Sequence, residues 1–447
     1  MSGLRLTDAA YAGLRDALLA DRSTERCALG YARHDPAAMR WVLESAEPAS
    51  ASAYEHRDRV SATLRPAAVL DAANRARRAG LSPVFIHTHP DASGLPDFSE
   101  IDDRGEAELK AYFDRRARDV APLAMVMGPE GARARRLGLG EPVDLWTVGR
   151  DLVRIDDPGI KDCAAARHDR QVRAFGAAGQ ARIARLRILV VGAGGTGSAT
   201  IQQLAHLGAT DLTVIDPDCV EESNLNRLIG ATPADIGQPK VEIARRMVAA
   251  IHPGARVEPI VGDIVDARHV ERIGAFDFIF LCTDSHASRA VICQAAYQFL
   301  VPAIDMGVSI TVAAGAVTHI TGRTQMLAPG LACLSCTGAL DAEQIRREML
   351  TPEQRAADPY VTGAHVPQPA VVSLNSSMAS LAVTMFLGAV TGTPANARYQ
   401  RYDGIQGVVR LMAADLRPGC VTCSANGALA KAASWPLPVR RNGGSHG

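Results

Sequence analysis

The sequence predicts an α/β protein: a smaller α+β domain, then a larger domain built on a parallel sheet with helices on both faces. Three observations carry this. The chain has 447 residues, the length of two or three domains. From residue 187 onward, short strand-like runs alternate with helical stretches, the pattern of βαβ units. The first of those strands runs directly into a glycine-rich loop that opens a helix.

Composition narrows the class. Hydrophobic residues make up 47% and charged residues 21%, an ordinary globular mix. The net charge is zero and aromatics are only 4%, which argues against nucleic acid or an anionic membrane as partner. No run of eighteen apolar residues is present, so no membrane span is expected. The N-terminus lacks the apolar core of a signal peptide. A cytoplasmic location is therefore the expectation, with the nine cysteines reduced and free for packing or metal binding.

In order along the chain, an amphipathic helix is expected after Thr7 or Asp8 as N-cap. Leu64 to Ala79 reads as a helix stopped by Gly80. Pro83 to Ile86 reads as a strand running into His87-Thr88-His89. Residues 100–117 read as helix and Leu123 to Met127 as strand, closing a first domain over 1–140. Residues 141–166 show weak periodicity and are assigned as a linker, although Leu145 to Leu152 is apolar enough to pack. In the second domain, 167–425, Arg187 to Val191 is a buried strand, and the helix after it ends near Gly208. Strands come next at Leu212 to Ile215 and Phe276 to Leu281. Residues 426–447 are read as a flexible tail whose Gly443-Gly444 pair fits a flexible end.

Gly192, Gly194 and Gly197 form G-x-G-x-x-G between strand and helix. Glycines let backbone approach phosphate, and the helix start offers unpaired N–H groups. Asp216 ends the next strand, where a carboxylate takes a ribose hydroxyl. By itself this pattern fits a dehydrogenase equally well. Asn224, Arg227, Lys240 and Asp284 lie further along, and a basic pair with a carboxylate suits a triphosphate with magnesium better than a nicotinamide.

RHDRQ (167–171), the glycine loop, SNLNR, GQPK and CTDS occur in the order that resembles the ThiF/MoeB family, relatives of ubiquitin-activating enzymes, over residues 167–425. The resemblance implies a Rossmann-like adenylation domain that uses ATP and Mg2+ to activate the C-terminal glycine of a ubiquitin-like or sulfur-carrier protein. It implies ribose binding by Asp216, phosphate contacts by Asn224, Arg227 and Lys240, and magnesium at Asp284. Arg170 would be the arginine finger that reaches the partner subunit's site in a homodimer. Leu228 departs from the glutamine that the family usually has after the arginine.

Two Cys-x-x-Cys pairs, Cys333/Cys336 and Cys420/Cys423, are a strong zinc signal, since four thiolates complete and close a tetrahedron. MoeB-like proteins carry a structural zinc at similar positions. Cys27, Cys163, Cys219, Cys282 and Cys293 are read as core or incidental. No cysteine lies between Cys336 and Cys420, where conjugating relatives keep a thioester-forming cysteine. Handover to a downstream thiol carrier or sulfur donor fits better than thioester transfer.

His87-x-His89 followed by Ser99 and Asp102 offers two imidazoles and a carboxylate, which leave one zinc position open for water. The pattern resembles JAMM (JAB/MPN) metalloproteases over residues 5–140, which cleave after ubiquitin-like termini. The gap between His89 and Ser99 is slightly longer than that family's. The resemblance implies a glutamate general base, here Glu25 with Glu44 in reserve, and a role for Ser99 at the oxyanion. The expectation is therefore a zinc-dependent processing domain fused to an adenylating one. A sulfur-transfer activator whose N-terminal domain trims the carrier or only docks it is the alternative.

Overall fold

The computed structural model describes residues 3–117, 120–157, 166–351, 354 and 369–440. The chain divides into two compact units, one comprising residues 1–158 with 430–435 and the other comprising 159–429 with 436–447.

The first unit opens on β1 (Gly3–Thr7) and α1 (Asp8–Leu18). Thr7 is the N-cap, its side chain accepting from the Ala10 N–H, and α1 buries Tyr11, Leu14 and Leu18 at helical spacing. The antiparallel strands β2 (Cys27–Asp35) and β3 (Arg40–Pro48) come next, then the small hairpin β4 (Tyr54–Arg57) and β5 (Ala62–Leu64). Helix α2 (Pro66–Ala79) starts on a proline and ends at Gly80, which takes φ +62, the left-handed cap that glycine supplies at no steric cost. Then come β6 (Ser82–Thr88), α3 (Glu100–Arg116), β7 (Leu123–Gly128), β8 (Gly131–Arg136), β9 (Pro142–Val148) and β10 (Leu152–Arg154).

The sheet order is β1-β3-β2-β6-β7-β8-β9-β10, and β1 also pairs with β9, so the sheet closes on itself as a barrel. Leu4, Leu6, Trp41, Val84, Met125 and Leu145 fill its core. The unit is thus a strand barrel that also carries helices α1, α2 and α3, and two details differ from the expectation. The assigned linker 141–166 contains β9 and β10 as strands of this barrel. Its alternation of buried Val143, Leu145 and Thr147 with Asp144 and Trp146 is satisfied by β1, far away in sequence. And β1, a strand of five residues, precedes the expected first helix.

The second unit begins with α4 (Asp169–Arg185), β11 (Arg187–Val191), α5 (Gly195–Leu207) and β12 (Asp211–Asp216). It continues through α6 (Lys240–Ile251), β13 (Arg256–Val261), α7 (Ala267–Val270), β14 (Phe278–Leu281) and α8 (His286–Gln298). It ends with β15 (Ala303–Ala313), β16 (Ala316–Leu327), α9 (Ala342–Met349), α10 (Val372–Thr391), β17 (Tyr399–Asp403) and β18 (Val408–Leu411). The order is β13-β12-β11-β14-β15-β16-β17-β18. The first five strands are parallel and the remainder antiparallel. Strand order reverses between β11 and β14, and ligands bind in open α/β sheets at the carboxyl ends of such strands.

Helix α10 is long and apolar enough to cross a membrane by length and composition alone. It is instead a core helix of this unit, packed on α5, α4, β15 and β16, with Phe386 wedged against Phe278 and Phe280 at 4.8 and 5.4 Å. The expected flexible tail is also corrected in part. Lys431 pairs with Glu44 at 2.6 Å, and Arg440 contacts Asp263 and Asp266 at 3.3 Å. The tail's few apolar residues hid these polar anchors. Gly443-Gly444 and Cys163 lie outside the described residues.

Candidate nucleotide and metal sites

The glycine loop lies at the strand-order reversal. Gly192 takes φ +92, and a Cβ there would meet the Cys282 carbonyl at 2.8 Å, so the loops after β11 and β14 touch. Gly197 is required for a different reason: its Cβ would fall 1.9 Å from the Gly192 carbonyl. Gly194 caps α5 and faces open space, leaving a cradle that a side chain would fill. Asp216 is buried at the end of β12 and holds the loop directly. Its Oδ2 accepts from the Ala193 N–H at 2.6 Å, and its Oδ1 from the Asp218 N–H at 2.9 Å. Burial raises its pKa, and the Ala193 amide opposes the shift.

Around this cradle the expected residues divide into two groups. Arg227 lies beside the loop: its Cγ is 3.4 Å from where a Gly195 Cβ would be, and its Nη1 donates to the Ser223 carbonyl at 2.6 Å. Lys240 opens α6 and donates to Asp218 Oδ2 at 2.7 Å. Asp284 is exposed in the loop after β14. Asn224, by contrast, is buried and committed to a local turn, its Oδ1 accepting from the Glu221 N–H. Arg170 is exposed on the first turn of α4. Leu228 is buried with Val220 and Ile243, where a glutamine would need hydrogen-bond partners.

Sequence reasoning missed Asn375. It is 6% exposed in α10, and its Nδ2 would lie 2.1 Å from a Gly195 Cβ, which places it against the phosphate cradle. The signal was a lone asparagine in an apolar helix. Glu348 was missed too; it accepts from Ser285 Oγ and the Ala287 N–H at 2.7 Å and so caps α8.

The four cysteines of the paired motif converge. Cys333 lies 3.6 Å from Cys336 and 3.6 Å from Cys420, and Cys336 lies 3.6 Å from Cys423, sulfur to sulfur. Tetrahedral zinc with bonds of about 2.3 Å separates its sulfurs by about 3.8 Å, whereas a disulfide needs about 2.05 Å. The residues present fit zinc. The Arg417 N–H donates to Cys336 Sγ at 3.4 Å, as thiolates require, and the Cys293 and Cys423 thiols pull Cys333 below its ordinary pKa. Cys293 is core, as expected, and it also accepts from the Leu334 N–H at 3.3 Å, inside the Cys333–Cys336 turn. Cys282 is core, and Cys219 is exposed.

In the first unit, β6 ends at His87 and Thr88, and α3 begins after Ser99. His87 Nε2 stands 3.0 Å from Asp102 Oδ1, and His89 Nε2 stands 3.3 Å from Asp102 Oδ2 and 3.7 Å from Glu25 Oε1. The ligand atoms of His87, His89 and Asp102 lie within 4.8 Å of one another. His87 Nε2 is buried without an aligned hydrogen-bond partner, as expected of an atom aimed at an ion. A metal ion fits. Burial would raise Asp102, but the close approach of the His87 and His89 imidazoles outweighs it and holds the carboxyl well below the usual range. The hydrogen bond that His89 gives to Asp102 raises the His89 pKa in turn.

Burial also pushes Glu25 up to about 7, while His87 and His89 pull it back. Glu44 is elsewhere, paired with Arg33 and Lys431. Ser99 caps α3 and donates to Asp102 Oδ2 at 2.8 Å. Its hydroxyl proton orients this carboxylate instead of facing an open oxyanion position, because the capping box takes both groups. One wall of the site was not foreseen: the Arg135 guanidinium lies 3.8 Å over the Phe98 ring, which in turn stands 6.0 Å from His87.

A parallel sheet with a glycine cradle at its strand reversal, basic groups beside it and a closed four-cysteine knot defines a nucleotide-binding α/β enzyme domain. The ThiF family profile matches residues 168–422, and the chain belongs to that family. The molybdopterin-synthase adenylyltransferase of Escherichia coli K12 is 31% identical over 268 residues, covering 59% of this chain and 98% of that protein. The sulfur carrier protein adenylyltransferase of Thermus thermophilus is 28% identical over 250 residues, covering 56% and 86%. The SAMP-activating enzyme E1 of Haloferax volcanii is 32% identical over 161 residues, covering 36% and 56%.

Proposed function

We propose that the second unit adenylates the C-terminal glycine of a ubiquitin-like or sulfur-carrier protein. The observation that supports this is the open glycine cradle at the strand reversal of a ThiF-family sheet, with Arg227 beside it. A carboxylate is a poor electrophile. One of its oxygens attacks the α-phosphorus of ATP, the bond to the bridging oxygen breaks, and pyrophosphate leaves with the electron pair. The acyl-adenylate that remains reacts readily with a thiol or sulfur donor. Arg227 and Lys240 offset charge on the phosphates, Asp216 sets the loop and meets the ribose, and Asp284 would hold magnesium, which screens the phosphates. Arg170 would complete the site of a partner subunit in a homodimer. No cysteine lies between Cys336 and Cys420, so the acyl group is passed to a separate thiol carrier or sulfur donor. The four-cysteine group would hold a structural zinc.

We infer further that the first unit is a JAMM-like zinc peptidase that exposes or releases the same glycine end. His87, His89 and Asp102 would hold the ion, which would polarise a water and the scissile carbonyl. Glu25 takes the proton from that water and passes it to the leaving amine. Both units would recognise one tail, in the cytoplasm.

The test is ATP–pyrophosphate exchange with small β-grasp proteins that end in glycine, with Lys240→Ala as control. Exchange that depends on one such protein and vanishes in the variant is the expected result. A folded, zinc-loaded chain that exchanges with none would overturn the adenylation reading.

A further inference from the structure

The loop between β14 and α8 is fixed at every residue, and one of the groups that fix it comes from outside the sheet. The Cys282 carbonyl accepts from Thr196 Oγ1, within the glycine loop, at 3.3 Å. The Asp284 carbonyl accepts from Arg289 Nη1 at 3.3 Å, and the Ser285 N–H donates to Thr283 Oγ1 at 3.1 Å. Ser285 is the N-cap of α8, its hydroxyl accepting from the Ser288 N–H at 3.1 Å. That hydroxyl has one proton to give, and it goes to Glu348 Oε2 at 2.7 Å. The same oxygen accepts from the Ala287 N–H at 2.7 Å. Glu348 thus fixes the Ser285 hydroxyl and takes up one of the N–H groups that a helix start leaves unpaired, where a carboxylate is favoured.

Glu348 needs an anchor of its own, because none of the side chains of α9 is buried. Hydrogen bonds supply it. Ahead of the helix, the Asp341 N–H donates to His286 Nδ1 at 3.0 Å. At its end, Arg440 donates from Nη2 to the Glu348 carbonyl at 2.6 Å and from Nε to the Met349 carbonyl at 3.3 Å. A cation suits the carbonyl end of a helix. Arg440 is held in turn: Nη1 lies 3.3 Å from both Asp263 and Asp266, and its N–H donates to the Val265 carbonyl at 2.7 Å. A chain of polar contacts therefore runs from the loop before α7, through Arg440 and Glu348, to the residue next to Asp284.

Resting on the adenylation reading, we propose that Glu348 is a positioning residue for magnesium-bound ATP. It acts through Ser285 to hold the backbone of Asp284, the expected ligand of the ion, and Arg440 keeps Glu348 in place. Groups behind a metal ligand set its orientation, and losing one weakens binding by about 10–100-fold. Glutamine at position 348 keeps an oxygen that can accept from Ser285 and Ala287, whereas alanine keeps none.

ATP binding to the full-length chain is measured by calorimetry, once with magnesium and once with a chelator. With magnesium, Glu348→Ala should weaken ATP about tenfold and Glu348→Gln less than about threefold. With the chelator, both variants should match the unaltered protein within about twofold. Arg440→Met should also weaken ATP with magnesium, and should add little on top of Glu348→Ala, because both break one chain of contacts. Melting temperatures show that each variant folds, and Arg440→Met carries the test if Glu348→Ala does not. Unchanged ATP affinity in the folded variants overturns the proposal. So does an equal loss with and without magnesium, as general damage to the fold would give, or a glutamine variant as weak as the alanine one. Exchange activity is a separate readout. A magnesium-dependent loss of ATP affinity in a chain that exchanges with no carrier keeps the positioning role and sinks the adenylation reading. Carrier-dependent exchange with unchanged affinity in Glu348→Ala does the reverse.

Discussion

Single residues divide by whether their neighbours are backbone or open space. Gly194 and Gly197 belong to one motif but make opposite predictions. A Cβ on Gly197 would lie 1.9 Å from a backbone oxygen, so Gly197→Ala should abolish soluble expression or cut stability by several kcal/mol. Gly194 has φ −74 and nothing within 4 Å, so Gly194→Ala should cost less than about 1 kcal/mol in thermal melts. The same change should raise the KM for ATP by about tenfold or more, because the methyl fills the phosphate cradle. Glu25 makes a pH prediction. Its raised pKa, about 7, keeps it protonated in weak acid, where it cannot accept a proton. Hydrolysis of a ubiquitin-like fusion should rise with pH and level off above about 7. The sign for stability is opposite. An acid with a raised folded pKa loses stability as pH climbs from the unfolded value to the folded one. Glu25→Gln should remove hydrolysis while zinc content stays unchanged; zinc loss would show that Glu25 is a ligand instead of a base.

At the scale of elements, local signals were legible and non-local ones were not. The Thr7 cap, the Gly80 stop of α2, the strand into His87 and the strand–loop–helix at Gly192 are written in adjacent residues, whereas the expected helix start at Leu64 falls in β5 and α2 begins at Pro66. Strands β1 and β9 were hidden because their partners lie more than a hundred residues apart. Helix α10 carries little amphipathic period because it is covered on several sides, which also gives it membrane-like composition. The spacing of the cysteine pairs and of His87-x-His89 pointed to groups whose side chains do converge, but the cap and turn duties of Ser99 and Asn224 come from neighbours that spacing does not reveal. Packing also sets the cost of cutting into these elements. Phe386→Ala should cost about 3–5 kcal/mol in denaturant melts, since its ring is 0% exposed between Phe278 and Phe280. Cys420→Ser with Cys423→Ser should lower both zinc content and the melting temperature, because the knot ties a loop after β16 to the chain beyond β18. Zinc loss without a change in melting would mean that the knot does not support the fold.

The whole molecule holds its two candidate centres in separate units, the Glu25 group in one and the Lys240 group in the other. Arg170 belongs to the scale of an assembly. It is exposed on α4, and the proposed reading has it act in the site of a second copy. A site that takes Lys240 from one protomer and Arg170 from its partner can be rebuilt from two broken chains. Arg170→Ala and Lys240→Ala should each lack carrier-dependent exchange alone. Mixed and re-equilibrated in equal amounts, half of the dimers would pair unlike chains, and each such dimer would hold one site with both residues intact. Exchange should therefore return to about a quarter of the unaltered level. If Arg170 acts within its own chain, no mixture contains an intact site and activity stays absent, with sedimentation showing whether the chains had paired at all.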